Sequence, residues 1–112
     1  MELHFVGEDE VPRPPEEIRF RWIKAEPYRG GRRVRIEFEV SPFQRRPDIE
    51  IAVQDAAGGL VAGTSIIESV EPRMGVTLHL RGSGPGPYRA SLTLSYPDLG
   101  PRDERELTFE IE

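Results

Sequence analysis

Two histidines are the first residues to weigh as chemistry. His4 and His79 lie in alternating stretches, each with its side chain opposite the apolar set. A zinc site or a histidine base needs three or four converging ligands, or a nucleophile within reach. Nothing in the spacing of this chain predicts such convergence. The sequence has no cysteine, which excludes disulfides, thiolate metal sites and cysteine nucleophiles. No serine stands in a Gly-x-Ser-x-Gly pattern. The residues therefore predict a chain without catalytic residues, metal or cofactor of its own.

Two acidic groups invite a calcium reading, Glu8-Asp9-Glu10 and Asp98 with Asp103 and Glu104. Calcium takes six to eight oxygens from a tightly spaced loop, and neither group has that alternating spacing, so both read as solvated loop charge. Gly82-Ser83-Gly84-Pro85-Gly86-Pro87 is rich in glycine but lacks the lysine and following helix of a phosphate cradle. It reads as a bent connection between strands. Pro12-Arg13-Pro14-Pro15 has the composition of a polyproline ligand and the position of a kink between sheets.

Two sets of residues remain as candidate surfaces. Tyr28, Arg29, Arg32 and Arg33, with Arg45 and Arg46 after the next apolar run, place positive charge and an aromatic near both ends of one strand. Arginine beside glycine suits phosphate, and tyrosine can stack on bases. Interleaved Glu26, Glu37, Glu39, Asp48 and Glu50 favour ion pairing within the chain instead. A net charge of −5 also argues against a nucleic-acid binder held by bulk charge. The second set is apolar: Phe43 sits in a Ser-Pro-Phe-Gln corner, and Ile66 and Ile67 are adjacent, so one of the two faces away from any core. An uncovered apolar residue on an edge strand is a candidate interface.

The elements that must position these residues are strands. Leu3 and Phe5 mark a short first strand, and residues 7–17 a proline-rich kink. Ile18, Phe20 and Trp22 alternate with arginines; Val34, Ile36, Phe38 and Val40 alternate with Arg35, Glu37 and Glu39. Ile49, Ile51 and Val53 follow, then the turn Asp55-Ala56-Ala57-Gly58-Gly59 and a less regular return strand over about residues 60–70. Val76, Leu78 and Leu80, then Tyr88, Ala90, Leu92, Leu94 and Tyr96, then Leu107, Phe109 and Ile111 complete the set. By parity Trp22, Tyr88 and Tyr96 all point inward. No window shows a helical period, and strands at this spacing predict an all-β antiparallel sandwich of seven to eight strands. With 112 residues, the expectation is one domain over 1–112.

The stretch Gly86-Pro87-Tyr88-Arg89-Ala90-Ser91-Leu92 is similar to the G-x-Y-x-x-x-L lead into the penultimate strand of immunoglobulin-like and fibronectin-III-like sandwiches. Strand number and spacing resemble those domains over nearly the whole chain. The chain lacks the cysteine pair of antibody-type domains, and Trp22 stands earlier than their buried tryptophan. The resemblance implies an Ig-like Greek key and carries no function across. The start has neither a basic n-region nor a long apolar stretch, which predicts a cytoplasmic protein without a membrane partner. The leading expectation is a protein-binding module, its partner a second protein or another copy of itself, acting through an edge strand or loops. The alternatives are polyanion or nucleic-acid binding through the arginines, and carbohydrate or small-ligand binding.

Overall fold

The computed structural model describes residues 11–82 and 84–112. The expected strand at Leu3 and Phe5, His4, the acidic group Glu8-Asp9-Glu10 and Ser83 lie outside the described residues.

Among the described residues, seven strands form two antiparallel sheets: β1 (Phe20–Pro27), β2 (Arg33–Val40), β3 (Asp48–Gln54), β4 (Leu60–Ile66), β5 (Arg73–His79), β6 (Gly86–Tyr96) and β7 (Gly100–Ile111). One sheet has the order β1-β2-β5 and the other β4-β3-β6-β7. This is an all-β, Ig-like Greek-key sandwich. The fourth strand pairs with the third, whereas in constant-type immunoglobulin domains it completes the first sheet.

Alternation decides which face of each sheet is buried. Val34, Ile36, Phe38 and Val40 of β2 meet Ile49, Ile51 and Val53 of β3 and Ala90, Leu92 and Leu94 of β6 in one core. Phe20 packs edge-on against Phe38, with ring centroids 6.0 Å apart. The β3–β4 reversal is held by Asp55, whose Oδ1 accepts hydrogen bonds from the backbone N–H groups of Ala57 (3.0 Å) and Gly59 (2.8 Å). Gly58 supplies the positive φ of 86° that this turn requires. The Tyr88 hydroxyl donates to the Gly84 carbonyl at 2.8 Å and accepts from the Gly84 N–H at 3.0 Å. That is the tyrosine corner of such sandwiches, built on the tyrosine of the motif quoted above.

Three strand expectations need correction. The first concerns Trp22. A bulge between Phe20 and Trp22 shifts the β1–β2 register, so Phe20 opposes Val40 while Trp22 opposes Glu39. The extra residue inverts the parity beyond it. Ile23 and Ala25 pack on the core, and Trp22 lies half-buried on the outer face with the Arg73 guanidinium 5.3 Å from its ring.

Second, the last strand starts at Gly100, well before Leu107. Asp103 and Glu104 are strand residues and not loop charge. The Asp103 carboxylate accepts the Phe20 N–H at 2.9 Å, and Arg105 donates to the Phe20 carbonyl at 3.0 Å. Polar side chains thus close the seam between the two sheets where an apolar period would otherwise be expected. Third, the return strand ends at Ile66, because Glu68 adopts a φ of 49° that no strand can continue through.

Candidate functional site

The sandwich gathers its loops at two ends. The β2–β3, β4–β5 and β6–β7 connections lie at one end, and the β1–β2, β3–β4 and β5–β6 connections at the other. The six residues of the arginine set divide between them. Arg32 and Arg33 enter β2, while Arg45 and Arg46 follow its far end, separated by the eight residues of the strand. At about 3.3 Å per residue that is roughly 25 Å. Tyr28, Arg29, Arg32 and Arg33 therefore form one group, and Arg45 and Arg46 belong to another.

The second group stands with the apolar set. Arg45, Arg46, Asp48, Ile67, Glu68 and Pro97 line a depression of about 370 Å³. Arg45 donates to both oxygens of Asp98, at 2.6 and 3.1 Å, and its guanidinium lies 5.2 Å from the Tyr96 ring. This hydrogen bonding holds the Asp98 carboxyl below the usual carboxylate range. The Tyr96 hydroxyl donates to the Arg45 carbonyl at 3.0 Å, and burial pushes its pKa up. Arg46 has no ion-pair partner among the described residues.

Phe43 and Ile66 are half-buried and pack against the core, so the corner at Phe43 is filled from within. A parallel bridge to Arg13 fixes it, with the Arg13 N–H bonded to Pro42 and the Gln44 N–H to Arg13, each at 2.9 Å. Ile67 points the other way and is 69% exposed. The turn carrying it is rigidly anchored. Ser69, fully buried, donates its N–H to the Pro47 carbonyl at 2.8 Å and its hydroxyl to the Glu71 carbonyl at 3.0 Å. The Asp48 carboxylate accepts the Glu68 N–H at 2.8 Å and so supports the left-handed backbone there. Val70, on the same turn, is 64% exposed.

Leu60, at the other end of β4, is 59% exposed, and with Ile67 and Val70 it completes the three most exposed large apolar side chains described. All three lie on β4 or on the turn after it. β4 is an edge strand, and residues 60–67 contain neither charge nor proline. Two of the other three edges differ: β1 carries Arg21, Lys24 and Glu26, and β7 is charged along most of its first half, whereas β5 is uncharged from Met74 to Leu78 but lacks the exposed large apolar side chains of β4 and its turn. The Val61 carbonyl accepts the Arg81 N–H at 2.9 Å. Beyond it, Gly63 to Ile67 make no backbone hydrogen bond outside their sheet to another described residue. Leu60 and Val70 were not singled out from sequence. The uncharged run was legible there, but its place at an edge was not.

His79 is exposed at the end of β5. No group of three or more metal-ligating side chains occurs among the described residues, and none of their helices is long and apolar enough to cross a membrane.

No protein-family model and no curated protein sequence matches this chain. Solved structures do share its fold. A glycosyl hydrolase family 2 member from Bacteroides cellulosilyticus DSM 14838 superposes with a TM-score of 0.64 and 12% identity over 84% of this chain. The β-glucuronidase from Ruminococcus gnavus superposes with a TM-score of 0.58 and 20% identity over 85%. The chain spans only 15% and 16% of those two proteins. At such identities the likeness shows the sandwich fold alone.

Proposed function

We propose that this chain is a non-catalytic sandwich module that binds a protein partner by strand addition along β4, with the turn at Ile67 and Val70 as its apolar anchor. The observation that carries this reading is an uncharged edge whose backbone, from Gly63 to Ile67, bonds no described residue outside its sheet. An edge strand presents a row of unpaired N–H and C=O groups, and sandwiches guard such rows with charge or proline. β4 has neither, and the most exposed apolar side chains flank it. An added strand supplies main-chain hydrogen bonds, and the flanking apolar residues supply the buried contact that selects the partner. A partner can be another chain, another region of a longer protein or a second copy.

The test places a guard on the edge. Ser65→Lys and Ile67→Asp alter exposed side chains and should leave the unfolding free energy within about 0.5 kcal/mol of the parent's. Parent and double variant are compared as bait for proteins of the source cell, and by sedimentation over a concentration series. Species held or assembled by the parent and lost by the variant support the reading. Identical behaviour of the two proteins sinks it.

A second reading has its own observation, the outward-facing Trp22. Its similarity to sandwich segments of glycosidases makes carbohydrate the ligand to try, and an indole on a sheet face offers a flat apolar surface. Trp22 is the only tryptophan, so its fluorescence reports directly. Titration with glucuronic acid oligosaccharides should change the emission, and Trp22→Ala should abolish binding measured by calorimetry. An unchanged emission throughout the titration removes this reading.

A further inference from the structure

The arginines divide by partner. Arg13, Arg21, Arg35, Arg45 and Arg105 are paired with carboxylates. Arg29, Arg32 and Arg81, all exposed, make no side-chain hydrogen bond or ion pair with another described residue. Arg33 is likewise without a carboxylate and lies over the Tyr28 ring, 4.7 Å from its centroid. These four stand at the same end of the sandwich. Arg29, Arg32 and Arg33 belong to the β1–β2 reversal; Arg33 opposes His79 across the β2–β5 pairing, and the Leu80 N–H donates to the Arg32 carbonyl at 2.8 Å. That bond sets Arg81 beside the reversal.

The reversal itself is fixed. Gly30 and Gly31 have φ of 95° and 68°, and a Cβ at Gly31 would come within 2.6 Å of Ile111 Cγ2. Tyr28, Arg29, Gly30 and Gly31 line a depression of about 440 Å³, whose opposite side is formed by Glu110, Ile111 and Glu112.

We infer that this end is a binding site for a carboxylate-rich peptide segment, recognised by Arg29, Arg32, Arg33 and Arg81. Guanidinium groups bind carboxylates through paired N–H donors, and these four are not already satisfied by carboxylates of the described chain. Of the four, Arg29 lines the depression together with Glu110 and Glu112, so these carboxylates border the patch on that side. A long phosphate backbone would have to pass those carboxylates, whereas a short acidic segment can engage the arginines away from them. The site lies at the end of the sandwich opposite the Ile67 and Val70 turn, so either proposal can fail without the other.

The experiment is fluorescence anisotropy with labelled hexaglutamate, using hexaglutamine and a single-stranded DNA oligomer as comparators, at low and physiological salt. Hexaglutamate should bind at low salt and weaken as salt rises, while hexaglutamine should not bind. A triple variant, Arg29→Gln, Arg32→Gln and Arg81→Gln, should bind hexaglutamate at least about tenfold more weakly. Because those side chains make no hydrogen bond or ion pair with another described residue, its unfolding midpoint should match the parent's. Arg46→Gln, at the far end, should bind as the parent does. No binding of hexaglutamate, equal loss in Arg46→Gln, no loss in the triple variant, or tighter binding of DNA than of peptide would each overturn the assignment.

Discussion

Tyr88 shows what one hydroxyl contributes. The ring is 4% exposed, and its OH both donates to and accepts from the backbone of Gly84. Tyr88→Phe keeps the packing and leaves those two groups without their partner, so it should cost about 1–3 kcal/mol in urea unfolding. An unchanged midpoint would mean that the loop is held by other contacts. Asp98 offers a different residue-scale test. Its folded pKa is depressed, chiefly by the hydrogen bonds from Arg45. Its contribution is therefore complete above the unfolded carboxylate pKa and is lost as pH falls through the lower folded value. Both side chains are largely exposed, at 46% and 59%, so the effect on global stability is small. The Asp98 carboxyl titration, followed by NMR, is the direct readout, and Arg45→Gln should move its midpoint upward. A midpoint that stays put would show that the pair does not form in solution.

At the scale of the element, the β1 bulge separates two aromatics that strict alternation would treat alike. Phe20 is 2% exposed in the core, whereas Trp22 lies outside it. Phe20→Ala should cost about 3–5 kcal/mol through the cavity it leaves, and Trp22→Ala only about 1 kcal/mol. Comparable losses for the two would argue that Trp22 is buried after all and that the register has no shift. The same seam explains β7. The inward side chain at Asp103, 16% exposed, is polar because it bonds the backbone of β1. A period-2 search for apolar residues finds only the half of the strand that reaches the core.

At the scale of the whole molecule, stability follows depth in the sheets. β2, β3 and β6 are flanked on both sides and carry most of the fully buried side chains. Their amides should exchange slowest with solvent deuterium, near the global unfolding limit, while those of Gly63 to Ile67 exchange faster as a set. Protection of the β4 amides equal to that of β3 would indicate that the edge is already covered, which self-association would produce. The two loop ends are likewise properties of the assembled sandwich. They put Ile67 beside Arg46 across a sequence gap and set Arg81 beside Arg32 across a much larger one.

Alternation in the sequence was sufficient for the sandwich and for most of its core, since side chains in a strand change face at every residue and water selects the face. The adjacent pair Ile66-Ile67 was enough to require one exposed apolar side chain for the same reason. What the tertiary structure alone decided were the exceptions to parity and the distances between strands. The bulge before Trp22 inserts a residue that leaves no mark in composition. The positive φ at Glu68 depends on Asp48 and Pro47 from elsewhere, which accept the N–H groups of Glu68 and Ser69. Whether β4 lies at an edge, and which arginines meet, depends on sheet order, and long-range pairing is not encoded in any local window.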